Sequence, residues 1–123
     1  MLQEAFRIAA LLFLNRIKWH TVFVSNLIDL QVFELKRWLH NRKDGDWTGF
    51  EVLKAWILVM GAICSRRYSA ESLWFQREIV RGFKCMESMT LPEYLARVKR
   101  VLWVEDLFGQ PSLMLWKELR MLL

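Results

Sequence analysis

From Ala55 to Ser65 the chain runs eleven residues without a charge, AWILVMGAICS, inside a longer stretch, residues 49–65, that is apolar on every side. Phe50, Val52, Leu53, Trp56, Ile57, Leu58, Val59, Met60 and Ile63 leave a helix here no polar face. Such a helix must be surrounded, either by lipid or by protein. Crossing a bilayer takes about 20 apolar residues. This run stops short, as does the ten-residue run between Lys18 and Asp29. No membrane span is expected, and residues 49–65 are expected to be the central buried helix of a folded domain.

The remaining segments supply the surround. Residues 3–18 (QEAFRIAALLFLNRIK) contain neither Gly nor Pro and read as a helix with Phe6, Ala9, Ala10, Phe13 and Ile17 on one stripe. Ile8, Leu11, Leu12 and Leu14 fill much of its other side, so it too should be buried on several sides. Residues 21–40 form a more amphipathic helix with Val24, Leu27, Ile28, Leu35, Trp38 and Leu39 inward. A charged, glycine-bearing loop from Asn41 to Gly49 follows, and Thr48-Gly-Phe-Glu51 reads as a capping box for the central helix. Arg66 and Arg67 suit that helix's C-terminal dipole.

Ser69 with Glu71 opens a helix over 70–87, with Phe75, Ile79, Phe83 and Met86 inward and Gln76, Arg77, Arg81 and Lys84 outward. A second capping box, Thr90-Leu-Pro-Glu93, opens a helix over 91–107, with Pro92 in its first turn. Leu91, Tyr94, Leu95, Val98, Val101 and Leu102 form its stripe. Gly109 and Pro111 are expected to separate it from a last helix, 111–122, with Leu113, Trp116 and Leu119 facing in. No segment sustains a period of two. The fold class is therefore all-α: one domain over residues 1–123, an irregular bundle of about six helices.

Composition closes other routes. A hydrophobic fraction of 54% with seven Trp and eight Phe excludes disorder. Trp38, Trp56 and Trp74 stand 18 residues apart, but their neighbours do not recur and the period is shorter than that of known solenoids. Met1-Leu-Gln-Glu has no basic region of the kind that opens a signal peptide, so an intracellular, reducing compartment is the expectation.

Catalytic and metal motifs do not emerge. There is no GxSxG, P-loop, GxGxxG or HExxH. His20 and His40 lie near helix ends and suit surface or capping roles, while Cys64 and Cys85 read as small buried hydrophobes. Glu105 and Asp106, adjacent on a helix, point about 100° apart and suit a solvated face better than a shared acid–base site. The expectation is no enzyme activity, with no catalytic, cofactor-binding or metal-binding residues. The formal charge is +5, with Lys36, Arg37, Arg42 and Lys43 in one cluster and Arg97, Lys99 and Arg100 in another. No nucleic-acid-binding module accompanies them, so solvated helix surfaces account for these residues.

One ordered series stands out: Trp56-Ile-Leu-Val-Met-Gly61-Ala-Ile, then Leu73-Trp74-Phe75, Val101-Leu102-Trp103 and Leu115-Trp116-Lys-Glu-Leu119. With Glu4-Ala-Phe-Arg-Ile-Ala-Ala-Leu-Leu-Phe-Leu-Asn-Arg16, it resembles the C-terminal part of the fungal-specific transcription factor domain. That domain is the regulatory region of zinc binuclear-cluster transcription factors. The resemblance spans most of residues 3–119, with Trp56, Gly61, Trp74, Phe75, Trp103 and Trp116 as landmarks of structure rather than of chemistry. It departs at Ala62, where the family often has a second Gly, and at Pro92, where a Trp is common.

The resemblance implies transcription regulation in the nucleus through protein or effector contacts. The six-cysteine cluster that gives such factors their DNA contacts cannot be built from Cys64 and Cys85. Sequence-specific nucleic-acid binding by this chain alone is therefore not expected. The family's domain is much longer than 123 residues, so the partner would be the remainder of that domain, another protein or a second copy. On this reading, parts of the helices over 3–18 and 49–65 should be more exposed than their composition warrants. The alternative is a small helical protein–protein interaction module unrelated to transcription.

Overall fold

The computed structural model describes residues 2–18, 25–40, 49–84 and 90–123. Six helices and no strand occur among them: α1 (Leu2–Lys18), α2 (Ser25–His40), α3 (Glu51–Cys64), α4 (Ala70–Lys84), α5 (Leu91–Lys99) and α6 (Glu105–Leu122). The all-α bundle expected from the periodicity is the fold observed.

Helix α3 is the axis of the molecule. Ten consecutive residues, Ala55 to Cys64, are buried, and each of the other five helices packs against α3. A helix without a polar face forces this arrangement, since every side needs an apolar neighbour. The expected excess exposure is therefore absent over Ala55–Cys64 and confined to Phe50 and Val52 at its start. In α1 it takes the form of exposed Phe6 and Leu14.

The buried face of α1 is Ala5, Ile8, Ala9, Leu12 and Phe13, rotated away from the stripe that placed Phe6 inward. Apolar residues on nearly all sides give α1 no preferred face, so its neighbours choose one. Asn15 Nδ2 donates to Gln31 Oε1 at 2.7 Å and ties α1 to α2. In α2, Val32, Leu35 and Leu39 are buried with Ile28 and Trp38 packed at their edge, as the amphipathic pattern requires. The Thr48 half of the first capping box lies outside the described residues. Phe50 is the N-cap of α3, and the Glu51 carboxylate accepts from the Gly49 N–H at 3.1 Å.

Between α3 and α4, Ser69 Oγ accepts from the Ser72 N–H at 3.1 Å and Tyr68 adopts a left-handed backbone with φ of 64°. At the start of α5, Thr90 Oγ1 accepts from the Glu93 N–H at 3.3 Å, the bond expected of the second capping box.

The C-terminal third departs from the expectation of a helix over 91–107. Helix α5 ends at Lys99, where the Arg100 and Val101 N–H groups bond back only three residues, to Arg97 and Val98. The chain leaves the helix at Leu102, whose carbonyl accepts from the Trp56 indole at 2.8 Å. Helix α6 then starts at Glu105 and runs through Gly109 and Pro111, which divide nothing. A proline inside a helix costs about 3 kcal/mol. Burial of Phe108, Ser112, Leu115 and Leu119 along one face of α6 outweighs it. Leu113, expected inward, is exposed.

Candidate functional site

Of the six landmark residues, Trp56 and Phe75 belong to the core, Gly61 is buried on α3, Trp74 and Trp103 pack against the core, and Trp116 is half-buried. At Gly61 a methyl group would lie 2.6 Å from Cζ and 2.8 Å from Cδ1 of Phe75, so the bare backbone is the seat of the Phe75 ring. Phe75 is fully buried and meets Trp74 edge-on at 5.0 Å. Trp56 is also fully buried, with Phe6 at 5.7 Å and Phe13 at 6.2 Å. Its bond to Leu102 matters because a buried indole N–H left without an acceptor costs about 1–3 kcal/mol.

Trp103 packs on Phe108 at 5.3 Å, donates to Glu105 Oε2 at 2.7 Å and receives Lys99 Nζ at 5.3 Å from its ring. The Glu105 carboxyl is held below the usual carboxylate range, first by the Trp103 hydrogen bond and then by Lys99. Trp116 lies under the Arg120 guanidinium at 4.9 Å, and its buried Nε1 has no acceptor among the described residues. These are structural roles, and no reactive group lies at any of the six.

Two features off the landmarks have the geometry of binding surfaces. The first is an open groove of about 530 Å3 between α2 and the α3–α4 connection, lined by Asp29, Leu30, Val32, Phe33, Ser65, Arg66, Ser69 and Glu71. Leu30 is 63% exposed and Phe33 53%, so a ridge of two large apolar side chains stands beside the groove. Arg66 reaches Asp29 Oδ2 with Nε at 2.8 Å and with its terminal nitrogen at 2.7 Å, which pins the turn to α2.

The second is a polar seam between α4 and α6. Gln76, expected to point outward, is only 7% exposed. Its amide donates to Ser72 Oγ at 3.2 Å and to Glu118 Oε2, while Glu118 Oε1 accepts from Arg67 Nε at 3.3 Å. Arg66 and Arg67, expected to serve the α3 dipole, thus tie the turn to α2 and α6. A cavity of about 110 Å3 lies against this seam, lined by Ala62, Ile63, Pro111, Met114 and Leu115 besides the polar groups.

The sequence pattern missed Gln76 because glutamine on an amphipathic helix defaults to solvent, and its partner Glu118 is 42 residues away. It missed the ridge too, although Leu30 and Phe33 lie visibly off the inward stripe of α2.

The other candidates stay apart. His40 is exposed at the end of α2, with its ring 6.3 Å from Trp74, and Cys64 is buried. His20, Arg42, Lys43 and Cys85 lie outside the described residues, as does the Asp106 side chain. Lys36 sits 6.0 Å from the Trp74 ring and Lys99 3.3 Å from Glu105, whereas Arg37, Arg97 and Arg100 face solvent. Among the described residues no group of three or more His, Cys, Asp or Glu is placed to hold a metal ion. No helix there is long and apolar enough to cross a membrane. Comparisons with protein-family models, with curated proteins and with solved structures give no match for this chain.

Proposed function

We propose that the chain is a helical regulatory module of the kind found in fungal transcription factors. It works in the nucleus through protein or effector contacts, without catalysis and without reading DNA itself. One observation carries this reading. Residues that give the resemblance also organise the bundle, with Gly61 seating Phe75 and Trp56 clasping the Leu102 carbonyl across 46 residues of chain. Landmarks of this sort belong to a scaffold, whose function resides on its surface rather than at a reactive centre.

Tethering tests the proposal. Fused to an unrelated DNA-binding domain, the 123-residue chain should alter output from a reporter carrying that domain's site. Alone, it should give no sequence-dependent shift in a mobility assay. Tight, sequence-dependent DNA binding by the isolated chain would overturn the reading.

The groove beside Leu30 and Phe33 favours a second reading, an interaction module unrelated to transcription. It predicts an inert tethered fusion together with a cooperative thermal melt and a defined mass in solution.

A further inference from the structure

We propose that two copies of the chain pair through the exposed face of α2, antiparallel and across a two-fold axis at Phe33. At 100° per residue, Leu30, Phe33 and Arg37 fall within a sector of about 60° on the outer side of this helix. The apolar part of that sector is flanked by the groove of about 530 Å3 whose wall includes Asp29 and Val32. A two-fold interface requires one patch to be complementary to itself. An apolar ridge centred on Phe33 satisfies that in shape, because each copy lays it against the same ridge of the other.

The charges satisfy it as well. Asp29 and Arg37 stand four residues before and after Phe33, so antiparallel pairing at Phe33 sets Arg37 opposite Asp29 of the partner subunit, twice per dimer. Both Arg66 contacts to Asp29 fall on Oδ2, which leaves Oδ1 to accept from an incoming guanidinium. Arg37 is exposed and has no acidic partner among the described residues. Two Phe33 rings at the centre supply the apolar core, the position where aromatic side chains contribute most to binding. The arrangement also buries Leu30, and the stem of the facing Lys36 can cover it.

The inference rests on the reading that the chain works by protein contact, but it can fail separately. A monomeric chain that still alters reporter output when tethered would remove the pairing and leave that reading in place.

Sedimentation equilibrium of the full chain, from micromolar to near-millimolar concentration, is the test. The mass should rise from 14.8 kDa to twice that value and stop there. Phe33→Asp should hold the chain at the monomer mass throughout. Arg37→Asp alone, and Asp29→Arg made together with Arg66→Asp so that the intrachain pair is kept, should each weaken association by roughly tenfold, and the combination should recover most of that loss because the opposed charges are then exchanged. All four positions are exposed or half-buried, and far-UV circular dichroism should show the helices unchanged. The proposal is overturned by a wild-type chain that stays at 14.8 kDa or whose mass climbs past the dimer. A dimer indifferent to Phe33→Asp, or a charge-exchanged combination no better than its two parts, overturns it equally.

Discussion

Replacing Gly61 by alanine should strain the crossing of α3 and α4, where the bare backbone of Gly61 seats the Phe75 ring. The new methyl carbon would sit 2.6 Å from Phe75 Cζ and closer still to Cε1, where ordinary contact begins at 3.4 Å, so the ring must retreat by about 1 Å. Phe75 has nowhere to go: it is fully buried and wedged edge-on against Trp74 at 5.0 Å. Overpacking of this kind costs about 1–3 kcal/mol, at times more. Alanine's better helix propensity offsets up to about 1 kcal/mol of that. The net expectation is a loss of about 1–2 kcal/mol, which at a urea slope of about 1–3 kcal/mol/M lowers the midpoint by about 0.3–2 M. Gly82→Ala is the internal control, because a methyl group there meets nothing within 4 Å and should stabilise α4. In a Phe75→Leu background the Gly61→Ala penalty should shrink, since the two ring atoms it strikes hardest, Cε1 and Cζ, are gone. If Gly61→Ala proves neutral, or stabilises as Gly82→Ala does, the seat is not the reason for a glycine at this position.

Three further outcomes follow from single contacts. Glu118→Ala strips the Gln76 amide and Arg67 of their shared acceptor and should cost about 1–3 kcal/mol, measured by urea unfolding; a change near zero would mean the seam is solvated. Tyr68→Gly should stabilise by about 1 kcal/mol, because the left-handed backbone at φ 64° strains a side chain that is otherwise exposed. Thermal melting would detect the gain. Burial pushes the Tyr94 phenol above its ordinary 10.0, so the folded chain keeps a proton that the unfolded chain releases. That contribution is complete below pH 10 and is lost as the pH rises further, so the urea midpoint should fall on the alkaline side for wild type and less for Tyr94→Phe.

Much of this structure was legible in the sequence, and the parts that were share a cause. The Ser69 and Thr90 caps are bonds between residues three apart, so local spacing suffices to find them. The central place of α3 was legible because a short helix with no polar face and too little length for a bilayer has one place to go. The candidate binding surface was less so. Leu30 and Phe33 matter because a turn 32 or more residues later builds the far wall of their groove. Gln76 and Arg67 meet at Glu118 only through the docking of α6 on α4.

By itself, then, the sequence determined that there would be about six helices, where most of them begin and which one all the others surround. These follow from periodicity, capping chemistry and hydrophobic burial acting over one or two turns. The tertiary structure decided which face α1 turns inward and that Gln76 is sealed. It also decided that the chain breaks at Arg100–Val104 rather than at Gly109 and Pro111. A helix apolar on most sides carries no instruction about its own rotation. A local penalty such as that of Pro111 yields once a buried face from Phe108 to Leu119 and the clasp of Trp56 on Leu102 outweigh it.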